Sequence, residues 1–400
     1  MRVLFFCVGF FFCMGVVLDA FQTIILPRRP SGRLRITRLF YMLTWPPWVA
    51  VAEGVKSRSA REQIFSIYGP VSLLLLLIVW AFFLITGFGF LFFALGSPFL
   101  DPLNTSGLLS DLRSDLYVSG TTLFTLGLGD VTPRSLAVRA LIVLESGTGL
   151  GFVALVIGYV PVIYQAFSRR EVSVAMLDGR AGSPPTASEL ISRHSYAGGE
   201  LELIALLAEW ERWAAEILES HVSYPLLCYY RSQHDNQSWL SALVCVLDAC
   251  ALLITTIEGP QVRQAQLTFV MARHAVIDLG HIFRIDEKAK LAVEAGPDRL
   301  SPAVFTSLCD SLGDMQVRLC GDSASVERLR QIRLLYEPHA QALADYLKMP
   351  LPLWVAEPKK TDAWKKVAAL TMSRETILRS GAHISSQAAA IHLHDEEHGF

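Results

Sequence analysis

Apolar residues crowd the first 170 positions of the 400-residue chain, and their runs set the scale of its elements. Val3 to Leu26 is apolar except for Asp19, Gln22 and Thr23. A helix rises about 1.5 Å per residue, so such a run crosses a hydrocarbon layer of about 30 Å. Tyr68 to Leu95 is a second run with no charge, and Leu136 to Phe167 a third, interrupted by Arg139 and Glu145. Between them lies Asp115 to Thr125, too short to span, and a short helical piece between two spans predicts a re-entrant element. Residues 40–50, FYMLTWPPWVA, fit either an interfacial segment or a packed loop.

The second half has a different texture. Gly179, Gly182, Pro184 and Pro185 mark 169–187 as a linker. Beyond it the periodicity is helical: one helix from a Ser188 cap to about His221, then 236–257, 260–290, 301–317, 322–348 and 360–390. Pro260, Pro297, Pro302 and Pro350 fall at the breaks. Trp239 to Ile257 is nearly apolar, but Asp248 sits mid-run and no basic cluster flanks it, which favours a buried helix over a fourth span. The expected organisation is an N-terminal span (1–27), a basic loop (28–66), a membrane module (67–168), the linker and a helical domain (188–400).

Composition sharpens this picture in few places. Hydrophobic residues make up 52% of the chain and mean hydropathy is +0.39, values that fit a membrane protein. A net charge of −2 argues against a nucleic-acid surface. Read loop by loop, charge sets orientation. Arg28, Arg29, Arg33, Arg35, Arg38, Lys56, Arg58 and Arg61 follow the first span, and Arg169, Arg170 and Arg180 follow the third. The positive-inside rule puts both groups in the cytoplasm, leaving the N-terminus outside and the C-terminus inside, most simply at the plasma membrane. Cleaving the first span would invert this, so a retained signal-anchor is expected. Seven scattered cysteines, including Cys320, form no CxxC pair and read as reduced, buried thiols.

The most informative stretch is Thr122, Leu123, Phe124, Thr125, Leu126, Gly127, Leu128, Gly129 and Asp130. Backbone carbonyls replace an ion's hydration shell when they face a common axis. Consecutive residues do this by alternating right- and left-handed backbone, and Gly127 and Gly129 supply left-handed positions without a Cβ clash. Thr125 adds a hydroxyl at the inner end, and Asp130 places negative charge at the outer end. The residues from Asp115 read as a short helix whose negative C-terminal end points at that segment. Irregular backbone at membrane depth is tolerated where it lines a wet cavity.

This stretch resembles the filter signature of potassium channels, TxxTxGxGD, and the resemblance extends over residues 70–170. Val131, Thr132 and Pro133 continue it, and Gly149 sits where these channels carry a hinge glycine. The usual central residue is Tyr or Phe, whereas this chain has Leu128, as some two-pore-domain potassium channels do in one filter. The resemblance implies passive K+ conduction, with filter oxygens from Thr125, Leu126, Gly127 and Leu128. One chain supplies one pore loop, so a homotetramer in the lipid bilayer is implied. Pro161 loosely resembles the inner-helix proline of voltage-gated potassium channels, and with Gly149 it is a candidate for gating. A packing role for Gly149 and a kink without gating for Pro161 stay open.

Glu145, an ionisable residue inside a span, is a candidate for the cavity wall, or else pairs with Arg139 or a polar group of the pore helix. Gly147 to Gly151 imitates a dinucleotide loop but follows no strand. No arginine repeat marks a voltage sensor. His274, Asp278 and His281 share a helical face, and His392, His394 and His398 crowd the tail; satisfied or solvated histidines are expected at both, and no metal or other cofactor. No Ser/His/Asp, P-loop or deaminase-type signature appears, so no enzyme is expected. The expected fold is an all-α membrane protein with three transmembrane helices, one re-entrant pore loop and a helical cytoplasmic domain. Its expected function is a potassium-selective channel. The competing readings are a weakly selective cation channel, because of Leu128, and a non-conducting sensor or scaffold, because of the large C-terminal half.

Overall fold

The computed structural model describes residues 1–26, 35–97, 99–103, 107–196, 198–233, 237–285, 298–313 and 323–356. Arg28, Arg29, Arg33, Pro297, Cys320, the helix expected over 360–390 and the histidine tail lie outside the described residues. The regular structure of the described residues is helical apart from one two-residue strand pair, and the chain divides into two units.

The first unit comprises Met1–Phe167 with Ser223–Tyr230. Its α1 (Arg2–Ala20), extended by a wide turn at Phe21–Ile25, lies against α3 (Arg58–Ala94). Small residues let the two backbones meet: a Cβ on Gly9 would lie 2.6 Å from the Gly87 carbonyl oxygen. Residues 40–50 are not a loop but part of α2 (Ile36–Glu53), which continues through Pro46 and Pro47. Its first turn is tied down by Asp19. That carboxylate accepts from Thr37 N (2.9 Å), Thr37 Oγ1 (2.6 Å), Arg35 Nε (3.3 Å) and Trp80 Nε1 (3.0 Å). An acid near the end of an apolar helix is tolerated because four donors, from Arg35 just before α2, from α2 and from α3, converge on it.

The remainder of this unit is α4 (Leu108–Leu123) and α5 (Leu136–Ala181), the latter passing out of it at Phe167. Strands β1 (Phe99–Leu100) and β2 (Thr132–Pro133) pair antiparallel, Phe99 opposite Pro133. Leu76, Trp80, Leu84, Phe92, Val118 and Leu123 belong to the core. Residues 223–230 belong to this unit rather than to the expected C-terminal domain. Tyr229 stacks on Tyr41 with ring centroids 5.2 Å apart, and Leu226 and Leu227 pack with Leu73, Tyr159 and Ile163. Apolar and aromatic side chains fill that segment, and burial here removes them from water.

The second unit comprises Ser168–Val222 and Arg231 onward. The linker expected over 169–187 is a helix as far as Ala181; only residues 182–185 turn. Arg170, Val174, Leu177 and Ala181 are buried at helical spacing, and that stripe outweighs the single Gly179. The helix expected from Ser188 breaks in two, α6 (Ala187–Ser192) and α7 (Gly199–Ser223), and the cap is Thr186, whose Oγ1 accepts from Glu189 N. Then come α8 (Trp239–Thr256), α9 (Gln261–Phe283), α10 (Pro302–Gly313), α11 (Ser323–Leu334) and α12 (Glu337–Leu347).

Among the described residues four helices have the length and composition to cross a membrane, and burial separates them. Within its most apolar window, α8 is 94% buried, against 22% for α1 and 11% for α5. Thus α8 is the core helix of the second unit, while α1, α3 and α5 carry the apolar surface of membrane spans. Asp248 in α8 is neutralised by Arg299 (2.7 Å) and accepts from Tyr336 Oη (2.5 Å). On α9, Asp278 sits 3.1 Å from His274 Nε2 and 3.6 Å from His281 Nδ1, and no metal-holding cluster occurs among the described residues.

Candidate functional site

The buried stripe of α4 is unusually polar, Ser114, Asp115, Val118, Ser119 and Leu123, so each group needs a partner. Ser114 donates to Asp101, Ser97 Oγ to Asp115 Oδ2 at 2.7 Å, and Ser119 Oγ lies 2.9 Å from the Ile85 carbonyl oxygen. Asp111 in the first turn complements the positive end of the helix dipole.

The other end of α4 closes with paired bonds, Leu126 N to Thr121 O (2.8 Å) and Thr125 N to Thr122 O (3.0 Å). This is the Schellman pattern, which needs a left-handed residue after the cap, usually glycine. Here it is Thr125, with φ of 56°. A β-branched residue in that region stores about 1–3 kcal/mol of strain, a cost found mainly at functional positions. Gly127 and Gly129 follow at φ of 55° and 76°. Positive φ thus recurs at every second residue from 125 to 129, and Phe124 through Asp130 are all exposed in the single chain.

Two anchors hold the C-terminal end of this strip. The β1–β2 pair ties Thr132 and Pro133 to the loop after α3. Tyr117 of α4 donates to Asp130 Oδ2 at 2.8 Å. Leu128 has no hydroxyl to brace the strip, and Tyr117 supplies a brace from the helix side instead. Sequence reasoning missed Tyr117; its hydroxyl, on the helix that precedes the glycines, was the available signal.

Below the strip, α5 meets α4 at close range. A Cβ on Gly149 would lie 2.1 Å from the Leu123 carbonyl oxygen, whereas Gly147, Gly151 and Gly158 face open space. Gly149 is therefore a contact glycine between the two helices. One turn earlier Glu145 is fully buried, with Oε1 2.5 Å from Ser119 Oγ and Oε2 without a partner. Of the placements open to Glu145, the cavity wall gives way to the polar group of α4, because the carboxyl is shut off from solvent. Arg139 is exposed and forms no ion pair with it. Pro161 lies within unbroken α5, between the buried Tyr159 and Ile163.

Residues 78–165 match the family model described as "Ion channel". That segment runs from the middle of α3 through α4 and the glycine strip to Gln165 of α5. No curated protein and no solved structure matches the chain. The chain is an integral membrane protein with an ion-channel-type segment, carried on helices of membrane-spanning length.

Proposed function

We propose that the protein conducts K+ passively and selectively through a pore made by four copies of the chain. The observation that carries this reading is the alternation of positive φ at Thr125, Gly127 and Gly129 along an exposed strip that begins at the end of α4. Alternating handedness turns successive carbonyls to one side, and a ring of such strips replaces a hydration shell. The oxygens come from Thr125, Leu126, Gly127 and Leu128, and Asp130 concentrates cations at the mouth. One strip offers one wall, and fourfold symmetry closes the ring. The charge of the connecting loops supports an external N-terminus and a cytoplasmic second unit.

A planar bilayer with potassium on one side and sodium on the other tests the reading, with Gly127→Ala as control. A reversal potential near the potassium limit, lost with the current in the variant, is the expected result. A reversal potential near zero favours the second reading, a weakly selective cation channel, which rests on Leu128 standing where an aromatic hydroxyl is usual.

A further inference from the structure

Helices α4 and α5 touch along two rungs, one helical turn apart on both: Glu145 opposite Ser119, and Gly149 opposite Leu123. The first rung is short of a hydrogen. Ser119 Oγ carries one, yet lies 2.9 Å from the Ile85 carbonyl oxygen and 2.5 Å from Glu145 Oε1. With Glu145 ionised both neighbours are acceptors, and one close oxygen–oxygen contact has no proton in it. The carboxyl is wholly buried, and among the described residues its Oε2 has no partner and no ion pair reaches it. An ionised carboxylate in that position lacks both a counter-charge and the several donors it requires.

A proton on Oε1 resolves the arrangement. Glu145 then donates to Ser119 Oγ, Ser119 donates to the Ile85 carbonyl, and Oε2 remains as a neutral carbonyl oxygen. Leaving that oxygen unpartnered costs far less than leaving a charged one so. We propose that Glu145 is held as a neutral acid and acts as a positioning residue for the filter. Its proton ties α5 to α4 and, through Ser119, to α3, one turn before the helix end from which Thr125 departs. The positioning role rests on the reading of residues 125–130 as a filter; the protonation stands apart from it.

Infrared spectroscopy of the full-length protein in lipid at neutral pH reads the proton directly. The carbonyl stretch of a protonated carboxylic acid is expected in the parent. Part of it is lost in Glu145→Gln, and it moves to higher frequency in Ser119→Ala as the hydrogen bond disappears. This readout needs no current. Bilayer recordings then separate positioning from bulk. Glu145→Gln keeps a donor for Ser119 and retains the parent's reversal potential. Glu145→Leu keeps the bulk without the donor, and its potassium current falls roughly tenfold with a reversal potential closer to zero. A band unchanged in Glu145→Gln overturns the protonation. A Glu145→Leu variant that conducts like the parent overturns the positioning role. A parent with the band but no current sinks the filter reading, and the positioning role with it, while supporting the protonated acid.

Discussion

Replacing Gly149 by alanine separates two uses of a glycine on the inner helix. If Gly149 serves only as a hinge, alanine is mild: it stiffens α5 and raises helix propensity by about 1 kcal/mol. The geometry demands more. The new Cβ would stand 2.1 Å from the Leu123 carbonyl oxygen, 2.9 Å from its carbon and 3.0 Å from its Cα. All three are backbone atoms, so no rotamer relieves the overlap, and to restore a 3.0 Å contact the carbonyl must recede by about 0.9 Å. Overpacking of this kind costs roughly 1–3 kcal/mol, and more when backbone must move. Net of propensity, the chain loses about 0–2 kcal/mol, toward the upper end or beyond it because backbone must move. The displaced carbonyl belongs to the last turn of α4, two residues before Thr125, so the strain arrives at the strip proposed as the filter. The assay pairs thermal unfolding in detergent with bilayer recording. Gly149→Ala is expected to unfold at lower temperature and to conduct less selectively, whereas Gly147→Ala and Gly151→Ala, whose new Cβ meets nothing among the described residues, keep stability within about 1 kcal/mol or gain. A Gly149→Ala protein as stable and as selective as the parent would refute the argument.

Three further outcomes are expected. Tyr117→Phe removes the donor to Asp130 and should make potassium current run down a few-fold faster when external potassium is low; unaltered run-down would show that the brace is idle. Asp19→Ala leaves Arg35, Thr37 and Trp80 facing an empty site and should cost about 3–5 kcal/mol, read as a lower unfolding temperature or lost yield. His221 is buried beside Arg170 and Trp239, and burial, aided by the guanidinium, holds its pKa well below the ordinary 6.5. The unfolded chain therefore takes up its proton first, so the stability His221 contributes is complete above about pH 6.5 and shrinks as pH falls below it. His194, also depressed by burial, acts in the same sense. Melting curves of the parent between about pH 5 and pH 8 should slope downward toward acid, and His221→Gln should flatten part of that slope; a slope untouched by the substitution would assign it elsewhere.

The sequence alone determined the spans, the re-entrant helix and the glycine strip, because each is a local matter. A run of apolar residues has a length, a helix has a period, and glycine after threonine permits a backbone that other residues resist. It also indicated that Asp248 makes α8 a poor span, since an uncompensated charge mid-run is costly. What it left open were choices between partners distant along the chain. Asp19 is in sequence one of three polar residues in the first apolar run, and it becomes the knot of three helices only where Thr37, Arg35 and Trp80 are brought to it. Glu145 had several candidate neighbours until the crossing of α4 and α5 put Ser119 beside it. Gly149 reads in sequence as hinge, spacer or both, and only the tertiary structure places the Leu123 carbonyl against it. The course of the chain after Phe167 was misread because two glycines and two prolines outweighed a buried stripe that declares itself only once its packing partners are in place. Local periodicity fixes which segments are helices and which positions accept φ > 0; the identity of the atom a side chain meets depends on how those helices cross, and that is decided by packing between residues far apart in sequence.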